Sequence, residues 1–355
     1  MKDLPANRLH SDLDEFEIEI PSWGLWRGGT RFETYESGEE PDSIDERIAA
    51  AGQVYRNTGH GRTVSLHFPW DGESEADVRH VQSLLEDEGL RAGAVNANLF
   101  SMREDPPLDD RLRYGSLISP DEDVREAVRE HIYECIEWMR ILDSKTLILW
   151  LPDGTNAFGQ ASLFEMYDRV ADQLGPIEDE LEDDEELLVE YKPFEPAFYA
   201  TAIFDWGSAM SFSKAAGENA SVLVDLGHHL QAANVEQIVA YLANLGELGG
   251  FHFNDSKYAD DDLVTGSLDP AQVFRIFATL REAETRDLVD LNDISYMIDQ
   301  AHYVRDPVAA MTESIENVQL AYLQSGLIDF DALAEYRADA AIQRAENERQ
   351  SAQRT

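Results

Sequence analysis

The chain alternates between short apolar runs and longer segments in which apolar residues recur every three or four positions. A short apolar run is typical of a buried parallel strand, and the longer spacing is typical of an amphipathic helix. The runs predict eight strands, at Glu15–Trp23, Thr63–Trp70, Arg91–Phe100, Lys145–Pro152, Leu187–Phe194, Ser221–Gly227, Gly250–Asp255 and Ser295–His302.

Helical patterns separate most of these runs. They predict helices at Ser43–Ala51, Ser74–Glu88, Asp121–Leu142, Ser162–Leu181, Ala197–Ala216, Asn234–Leu245 and Asp269–Glu284. Ser119-Pro120 and Asp269-Pro270 each pair a capping residue with a proline in the first helical turn. Strands that alternate with helices in this way predict an α/β fold, a (β/α)8 TIM barrel. A doubly wound sheet is the alternative, but no Gly-x-Gly-x-x-Gly follows an early strand.

The same pattern divides the chain into three parts. We predict an N-terminal segment at residues 1–14, the barrel catalytic domain at 15–304 and a C-terminal helical arm at 305–355. The helical pattern from Arg305 to Arg349 follows the last predicted strand. We interpret it as an arm that packs outside the barrel or on a neighbouring subunit.

The net charge of the chain argues against two classes of function. The chain has 355 residues and a formal net charge of −43. Such a balance argues against nucleic-acid binding, which needs a basic surface, and against docking on anionic membranes. The acidic residues are spread over the whole chain, which suggests a halophilic protein whose self-repulsion is screened by salt. A very acidic soluble protein is the simpler alternative.

The single cysteine, Cys135, excludes a disulfide framework and lies in an apolar helical pattern typical of a buried thiol. The first residues lack the apolar region of a signal peptide, and no stretch is long and apolar enough to span a membrane. We therefore expect a cytoplasmic protein.

The C-terminal ends of the predicted strands carry the candidate chemistry. Four adjacent runs end in Glu190, Asp225, His252 and Asp299. A carboxylate or imidazole is costly to bury without a partner, and the strand ends of a barrel converge on one mouth. Any one of the four, taken alone, is more simply a hydrogen-bonded buried polar group. Four together predict a metal site. The other strand ends are Trp23, His67, Asn96 and Trp150.

Two loops add further candidate ligands. His228 follows Asp225 by three residues, and Asp260-Asp261-Asp262 follows His252. A solvated acidic loop is the plain interpretation of the aspartates, but His228 beside Asp225 favours ligands. Asp225 would then bridge to a second site with His228, Asp260 and Asp262. Oxygen-rich ligands without a thiolate favour Mn²⁺, Mg²⁺ or Co²⁺, and two ions can polarise adjacent oxygens of one substrate.

At this point the chain resembles a known family, the broad-specificity bacterial-type L-rhamnose isomerases of the xylose isomerase-like TIM-barrel superfamily. The resemblance runs from about Ile20 to the C-terminal arm. Its motifs are Gly-Gly-Thr-Arg-Phe (28–32), Ser-Leu-His-Phe-Pro-Trp-Asp (65–71), Val-Asn-Ala-Asn (95–98), Glu-Tyr-Lys-Pro-Phe-Glu-Pro (190–196), Val-Asp-Leu-Gly-His-His (224–229), His-Phe-Asn-Asp-Ser-Lys-Tyr-Ala-Asp-Asp-Asp (252–262) and Met-Ile-Asp-Gln-Ala-His (297–302).

This resemblance implies an aldose–ketose isomerase with two divalent metal ions per subunit, Mn²⁺ first among them. It implies a structural ion on Glu190, Asp225, His252 and Asp299. It implies a catalytic ion on Asp225, His228, Asp260 and Asp262. It also implies a homotetramer, with a dimer as the alternative.

The resemblance implies roles around the sugar as well. Lys192 matches a substrate-binding lysine that supports developing negative charge, and His67 lies near the ring oxygen. His67 or Asp299 would assist ring opening. Trp150 walls the pocket, with Trp23 or Trp26 added to that wall. Hydrogen would then move between C2 and C1 by a hydride shift, with an enediol route as the rival.

Substrate choice stays open at this stage. L-rhamnose is the expected sugar, and L-lyxose, L-mannose and D-allose are alternatives. A ketose 3-epimerase on the same barrel, a phosphodiester-cleaving metal barrel and a non-catalytic carbohydrate-binding barrel are the competing functions. The acidic charge argues against the second, and competent residues at all seven ligand positions argue against the third.

Overall fold

The computed structural model describes residues 13, 16–26, 41–100, 109–230, 232–258, 261–301 and 304–355. The strands are β1 (Glu19–Pro21), β2 (Thr63–Phe68), β3 (Arg91–Ala97), β4 (Thr146–Trp150), β5 (Gly154–Thr155), β6 (Glu186–Glu190), β7 (Ala200–Thr201), β8 (Ala220–Asp225), β9 (Leu248–Phe253) and β10 (Ser295–Ile298). A 3₁₀ turn, Ser22–Leu25, follows β1.

Helices separate most of these strands. They are α1 (Ile44–Thr58), α2 (Glu75–Glu88), α3 (Asp109–Leu112), α4 (Glu122–Ile141), α5 (Leu163–Glu178), α6 (Trp206–Ala216), α7 (Val235–Leu245), α8 (Pro270–Glu284), α9 (Pro307–Ser325), α10 (Phe330–Ala338) and α11 (Ile342–Gln353). Most begin at a side-chain cap, such as Ser43 for α1, whose hydroxyl accepts a hydrogen bond from the Glu46 N–H. Within the described ranges, no helix is long and apolar enough to cross a membrane.

The predicted (β/α)8 barrel is confirmed. Eight strands pair in parallel in the closed order β1-β10-β9-β8-β6-β4-β3-β2. The strands β5 and β7 lie outside this ring and form a short antiparallel pair, with Gly154 opposite Thr201. This pair joins the segments that follow β4 and β6, so it lies beside the mouth of the barrel.

Side chains inside the barrel form layers, because every second residue of a strand faces the same way. The middle layer is apolar and consists of Ala94, Ile148, Leu188, Leu223 and Met297, with Trp23 packed against it. Two residues further along the same strands come Asn96, Trp150, Glu190, Asp225 and Asp299. The strand register therefore places one layer of polar or aromatic side chains at the C-terminal mouth, directly above the apolar middle layer.

Several predicted boundaries were wrong. The predicted helix Ala197–Ala216 begins only at Trp206, because Asp205 caps it by accepting a hydrogen bond from the Ser208 N–H (2.8 Å) and the residues before it pair in β7. Trp23 lies in the 3₁₀ turn rather than in β1. Most predicted strands run too far, because the loop residues that follow them continue the apolar pattern without pairing in the sheet.

The C-terminal region consists of three helices rather than one continuous helix. The first of them, α9, packs against α8 and α1 and so completes the ring of helices around the barrel, while α10 and α11 pack on each other beyond it. The division at residue 305 stays a proposal, and these contacts argue for counting α9 with the barrel. The N-terminal segment 1–14, apart from Leu13, lies outside the described residues, as does the motif at 28–32.

Candidate metal centre

Four side chains that the sequence predicts as ligands meet at the mouth of the barrel. One donor atom from each of Glu190, Asp225, His252 and Asp299 lies within 4.8 Å of the others. The first three side chains are almost fully buried, and the side chain of Asp299 is 21% exposed. Each comes from a different strand or the residue after it, so the rigid sheet sets their spacing.

Two imidazoles surround Glu190. Its Oε1 atom lies 3.1 Å from Nδ1 of His252 and 3.2 Å from Nδ1 of His228. Burial alone would raise the pKa of Glu190, but the positive charge of His252 and then the hydrogen bond from His228 outweigh it and hold that pKa below its usual range. The surroundings of Glu190 therefore favour its carboxylate form, the form that binds a cation.

Backbone and amide donors hold Asp225 in place. Its Oδ1 atom accepts hydrogen bonds from the Gly227 N–H (2.7 Å) and the Asn254 side-chain amide (3.0 Å). A Cβ at Gly227 would lie 2.9 Å from Oδ1 of Asn254, so glycine leaves the room that this amide needs. Burial raises the pKa of Asp225, while the charge of His228 opposes the rise. Its other oxygen, Oδ2, lies 3.6 Å from Nδ1 of His252.

Trp23 orients Asp299. The indole N–H donates a hydrogen bond to Oδ1 (2.9 Å), and the other oxygen, Oδ2, lies 3.4 Å from Nδ1 of His252. One carboxylate oxygen is thus committed to the indole, and the second faces the cluster. An outer partner of this kind commonly sets the direction of a metal ligand.

The donor set fits a divalent cation. Three carboxylates and one imidazole around one point match the ligands that Mn²⁺, Mg²⁺ and Co²⁺ accept. Nδ1 of His252 is the ring nitrogen that faces all three carboxylates, at 3.1 Å from Glu190, 3.6 Å from Asp225 and 3.4 Å from Asp299. Three carboxylates packed together repel one another unless a positive charge lies between them. The cluster could therefore hold a metal ion, which would take the place of the proton on Nδ1 of His252.

A cavity of about 190 Å³ opens above the cluster. Its lining consists of Trp23, His67, Trp70, Asn96, Ala97, Phe100, Ile148, Trp150, Glu190, Lys192, His228, His252, Asp262 and Asp299. One side is aromatic and the floor carries the polar cluster. A small ligand in this cavity would meet carbon on one side and charged oxygen and nitrogen on the other.

His67 lies in the aromatic side of the cavity. Its ring stacks on Trp70 at 4.2 Å and meets the edge of Trp23 at 5.3 Å. Burial, and then the charge of His131, lower the pKa of His67 to about 3. At neutral pH the ring is uncharged, and its buried Nδ1 makes no hydrogen bond within the described residues. A neutral imidazole can accept or donate one hydrogen bond to a ligand hydroxyl.

Lys192 supplies a positive charge beside the cluster. Its Nζ atom lies 5.0 Å from the centre of the Trp150 ring and 3.8 Å from a carboxylate oxygen of Glu195. The side chain of Lys192 is 11% exposed. Its backbone N–H donates to the Ile203 carbonyl (3.0 Å), which ties the segment after β6 to the segment before α6.

The structure brings most of the predicted site residues together. Beyond the four clustered ligands, His67, Trp150, Lys192, His228 and Asp262 line the same cavity. Trp26 does not line it: its ring meets the edge of Trp70 at 6.4 Å, and Arg47 stacks over it at 4.8 Å. Asp260 lies outside the described residues, so the second metal ion stays a prediction.

Sequence reasoning overlooked Trp70 and Phe100 as cavity residues. Their rings pack edge to face at 5.6 Å, and Phe100 meets Trp150 at 5.3 Å. Trp70 lies two residues past the end of β2 and Phe100 three residues past the end of β3, close to the strand ends that marked the other site residues. The signal was present, but an aromatic residue after a strand more often belongs to the core.

Comparison with known proteins agrees with this geometry. Residues 55–282 match the family model described as a xylose isomerase-like TIM barrel, and the chain belongs to this family. It is 39% identical to a probable sugar isomerase of Mesorhizobium japonicum over 330 residues, which is 93% of this chain and 75% of the relative. It is 38% identical to a probable sugar isomerase of Rhizobium meliloti, over 95% of this chain and 77% of that relative.

Solved structures share the fold. The D-psicose 3-epimerase of Clostridium cellulolyticum H10, solved with D-tagatose, superposes with a TM-score of 0.61 and 11% sequence identity. The match covers 86% of this chain and 99% of the epimerase chain. At this level of identity the likeness concerns the barrel alone.

Proposed function

We propose that this protein is a divalent-metal-dependent aldose–ketose isomerase. The observation that carries the proposal is the buried cluster of Glu190, Asp225, His252 and Asp299 at the floor of an aromatic-walled cavity. Two relatives named as probable sugar isomerases support a sugar as the substrate class. We take L-rhamnose as the first substrate to test, and the product would be L-rhamnulose.

The cavity suits an open-chain sugar. Its volume, about 190 Å³, is that of a small molecule, and its walls differ in chemistry from side to side. The C–H faces of a sugar pack well on rings such as Trp150 and Phe100, while its hydroxyls need polar partners. A sugar bound in this orientation would turn its oxygens towards Glu190 and Asp299.

The bound ions would polarise the oxygens on C1 and C2 of the sugar as Lewis acids. Glu190, Asp225, His252 and Asp299 would hold one ion, and Asp225, His228, Asp260 and Asp262 the second. We propose Mn²⁺ first, with Mg²⁺ and Co²⁺ as alternatives. The fixed hydrogen bonds from Trp23 and Asn254 keep the carboxylates aimed without further reorganisation.

The other residues act on the substrate directly. Neutral His67 would exchange a proton with the ring oxygen or anomeric hydroxyl, and Asp299 is the alternative partner for ring opening. Lys192 would stabilise negative charge that develops on a substrate oxygen. The aromatic wall would exclude water from the C1–C2 edge, which favours direct transfer of hydrogen between these carbons over an enediol.

The decisive experiment is a panel of aldoses and ketoses with Mn²⁺. L-rhamnose, L-lyxose, L-mannose and D-allose are incubated in molar KCl, because the net charge of −43 suggests adaptation to salt. We expect ketose formation that EDTA abolishes and Mn²⁺ restores. The absence of isomerisation with every sugar would refute the proposal. A C3 epimer as the only product would instead assign the protein to the ketose 3-epimerases.

The same assay in D₂O tests the route of the hydrogen. In a direct shift, C1 of the ketose receives the hydrogen from C2 and carries no solvent deuterium. In the enediol route, the hydrogen removed from C2 exchanges with solvent before C1 is protonated. Nuclear magnetic resonance of the isolated ketose measures the label. Deuterium at C1 in the first turnover would overturn the direct shift while leaving the isomerase assignment intact.

A further inference from the structure

Asn96 lines the cavity but is not one of the four clustered ligands. It lies two residues after Ala94, whose side chain belongs to the apolar middle layer, so both side chains face the inside of the barrel. Only 6% of the surface of Asn96 is exposed. A buried amide normally has hydrogen-bond partners for its polar atoms, and the partners of Asn96 therefore indicate what it does.

An irregularity in the sheet sets the direction of this side chain. Along the β2–β3 ladder the register shifts between Val64 and Leu66, where β3 contains one residue more than β2. Beyond this β-bulge, Asn96 lies side by side with His67. Paired residues of neighbouring strands face the same way, so the amide and the imidazole both turn towards the cavity that they line. Bulges next to active sites commonly redirect a side chain in this manner.

One edge of the Asn96 amide is fixed by the sheet. Its Nδ2 atom donates a hydrogen bond to the Leu66 carbonyl of β2 (3.2 Å). The other edge, Oδ1, makes no hydrogen bond with any residue that the structure describes. An amide oxygen has two lone pairs, and leaving it without a donor in a nearly enclosed site is unfavourable. The carbonyl is therefore an acceptor available to the ligand that fills the cavity.

The wall around Asn96 is otherwise made of rings. His67 stacks on Trp70 at 4.2 Å, and Phe100 meets Trp150 at 5.3 Å. Ring faces pack on the C–H groups of a ligand but leave a hydroxyl without a strong partner. An amide carbonyl accepts a hydrogen bond at every pH, whereas the His67 ring can change between donor and acceptor. Asn96 thus gives this wall a fixed acceptor.

The strand order places Asn96 across the mouth from the metal centre. Three strands separate β3 from β9, which carries His252, in either direction around the ring. A sugar whose C1 and C2 oxygens face the cluster extends away from it, and its next hydroxyls, on C3 and C4, approach the β3 side. A hydroxyl that reaches this acceptor gains a hydrogen bond that an analogue without the hydroxyl cannot make.

We propose that Asn96 is a specificity-determining residue, whose Oδ1 atom accepts a hydrogen bond from the sugar hydroxyl on C3 or C4. The bond to Leu66 holds the amide so that its carbonyl faces this hydroxyl. Asn96 thereby selects sugars by the presence and direction of one hydroxyl, whereas the metal centre binds the C1–C2 end that all aldoses share. The proposal rests on the proposed function, because it takes a sugar to be the ligand of the cavity.

Kinetics with deoxy sugars test the proposal. The best substrate of the sugar panel is compared with its 3-deoxy and 4-deoxy analogues. Both the wild type and Asn96→Leu are assayed, since leucine keeps the branched shape of the side chain without its polar atoms. For one of the two analogues, we expect the wild-type kcat/KM to fall by about tenfold or more. In Asn96→Leu the same two sugars should differ by less than about twofold, because the acceptor is gone.

The control is Ile148→Val, which reshapes the cavity beside Asn96 but removes no polar atom. Its ratio of kcat/KM between sugar and analogue should stay at the wild-type value. The affinity of Asn96→Leu for Mn²⁺, measured by isothermal titration calorimetry, should also stay unchanged and so report an intact site. Asn96→Ala, which adds no bulk, is the second variant and should show the same loss of discrimination as Asn96→Leu.

Several outcomes would overturn the role of Asn96 and leave the isomerase assignment intact. They are a wild type that treats both analogues like the parent sugar, Asn96 variants that keep the wild-type ratio, and an equal loss of the ratio in Ile148→Val. If the wild type converts no sugar, the isomerase assignment fails, and calorimetric Kd values of the Mn²⁺-loaded protein for the same sugars replace kcat/KM. A preference for the hydroxyl that needs Asn96 would then still support its role, whereas equal Kd values or no binding would overturn it.

Discussion

Strand β6 carries two inward-facing glutamates, Glu186 at the N-terminal end of the barrel and Glu190 at the mouth. Both are largely removed from water, yet their pKa values move in opposite directions. Burial raises the pKa of Glu186 to about 7, and its partners are the neutral hydroxyls of Thr146 (2.8 Å) and Ser295 (3.4 Å). Two imidazoles lower the pKa of Glu190.

The difference shows that partners, more than depth, decide the charge of a buried carboxyl. At the bottom of the barrel, Glu19 repeats the pattern of Glu186: burial raises its pKa, and its partners are the Ser65 hydroxyl and the Ala94 N–H. Hydroxyls and amides stabilise a carboxyl in either form, whereas a positive charge or a metal ion favours the carboxylate. Of these two ends of the barrel, as far as the structure describes them, the mouth is therefore the one built to bind a cation.

The largest expected effect comes from Glu190→Gln. We expect the affinity for Mn²⁺ to fall by more than about 100-fold, because even partners outside the coordination sphere contribute tenfold to hundredfold. Isothermal titration calorimetry measures it directly. The matched control is Glu186→Gln, the same change on the same strand and face, which should keep the wild-type affinity. Equal affinities for both variants would remove the metal assignment from Glu190.

A smaller effect is expected from Trp23→Phe. The change keeps an aromatic ring against His67 but removes the hydrogen bond to Asp299, so Mn²⁺ should bind about tenfold more weakly. Trp26→Phe is the control, since that indole lies off the cavity and touches none of the four clustered ligands through a hydrogen bond within the described residues. If the two variants bind Mn²⁺ equally, the indole does not orient Asp299.

The smallest expected effect is a change in the pH dependence of folding stability when Glu186 is replaced. A carboxyl whose pKa rises on folding, from 4.5 to about 7 here, binds its proton more tightly in the folded chain. Its contribution to stability is complete below pH 4.5 and is lost as pH rises through 7. The wild type therefore loses stability as pH rises from 5 to 8, whereas Glu186→Gln does not. Relative to the wild type, the free energy of unfolding of Glu186→Gln should rise by about 1 kcal/mol over this range, after allowance for partial solvent exposure.

Urea unfolding at the two pH values measures this gain. The control is Glu190→Gln, measured against the wild type without added metal. It should show no such gain, because the pKa of Glu190 is lowered rather than raised. A stability difference between Glu186→Gln and wild type that does not change with pH would mean that Glu186 is ionised throughout.

The sequence was most informative about elements and strand ends. The apolar runs predicted all eight barrel strands, and the ends of four runs contained the residues that cluster within 4.8 Å. Its failures lie where local pattern and tertiary contact disagree. The segment at 197–205 has a helical apolar spacing, but it pairs with β5 and turns its rings outward. Trp26 and Trp70 look equally suitable for the pocket, yet only Trp70 lines it.

By itself, the sequence determined the barrel, the polar character of its mouth and the ligand types available, because strand periodicity and side-chain chemistry are local properties. The tertiary structure alone decided which ends meet, which carboxylate lies between imidazoles and which aromatic residues reach solvent. Glu186 and Glu190 have the same side chain and the same orientation on one strand. The opposite shifts of their pKa values depend on residues more than 30 positions away, which the closed sheet brings to them.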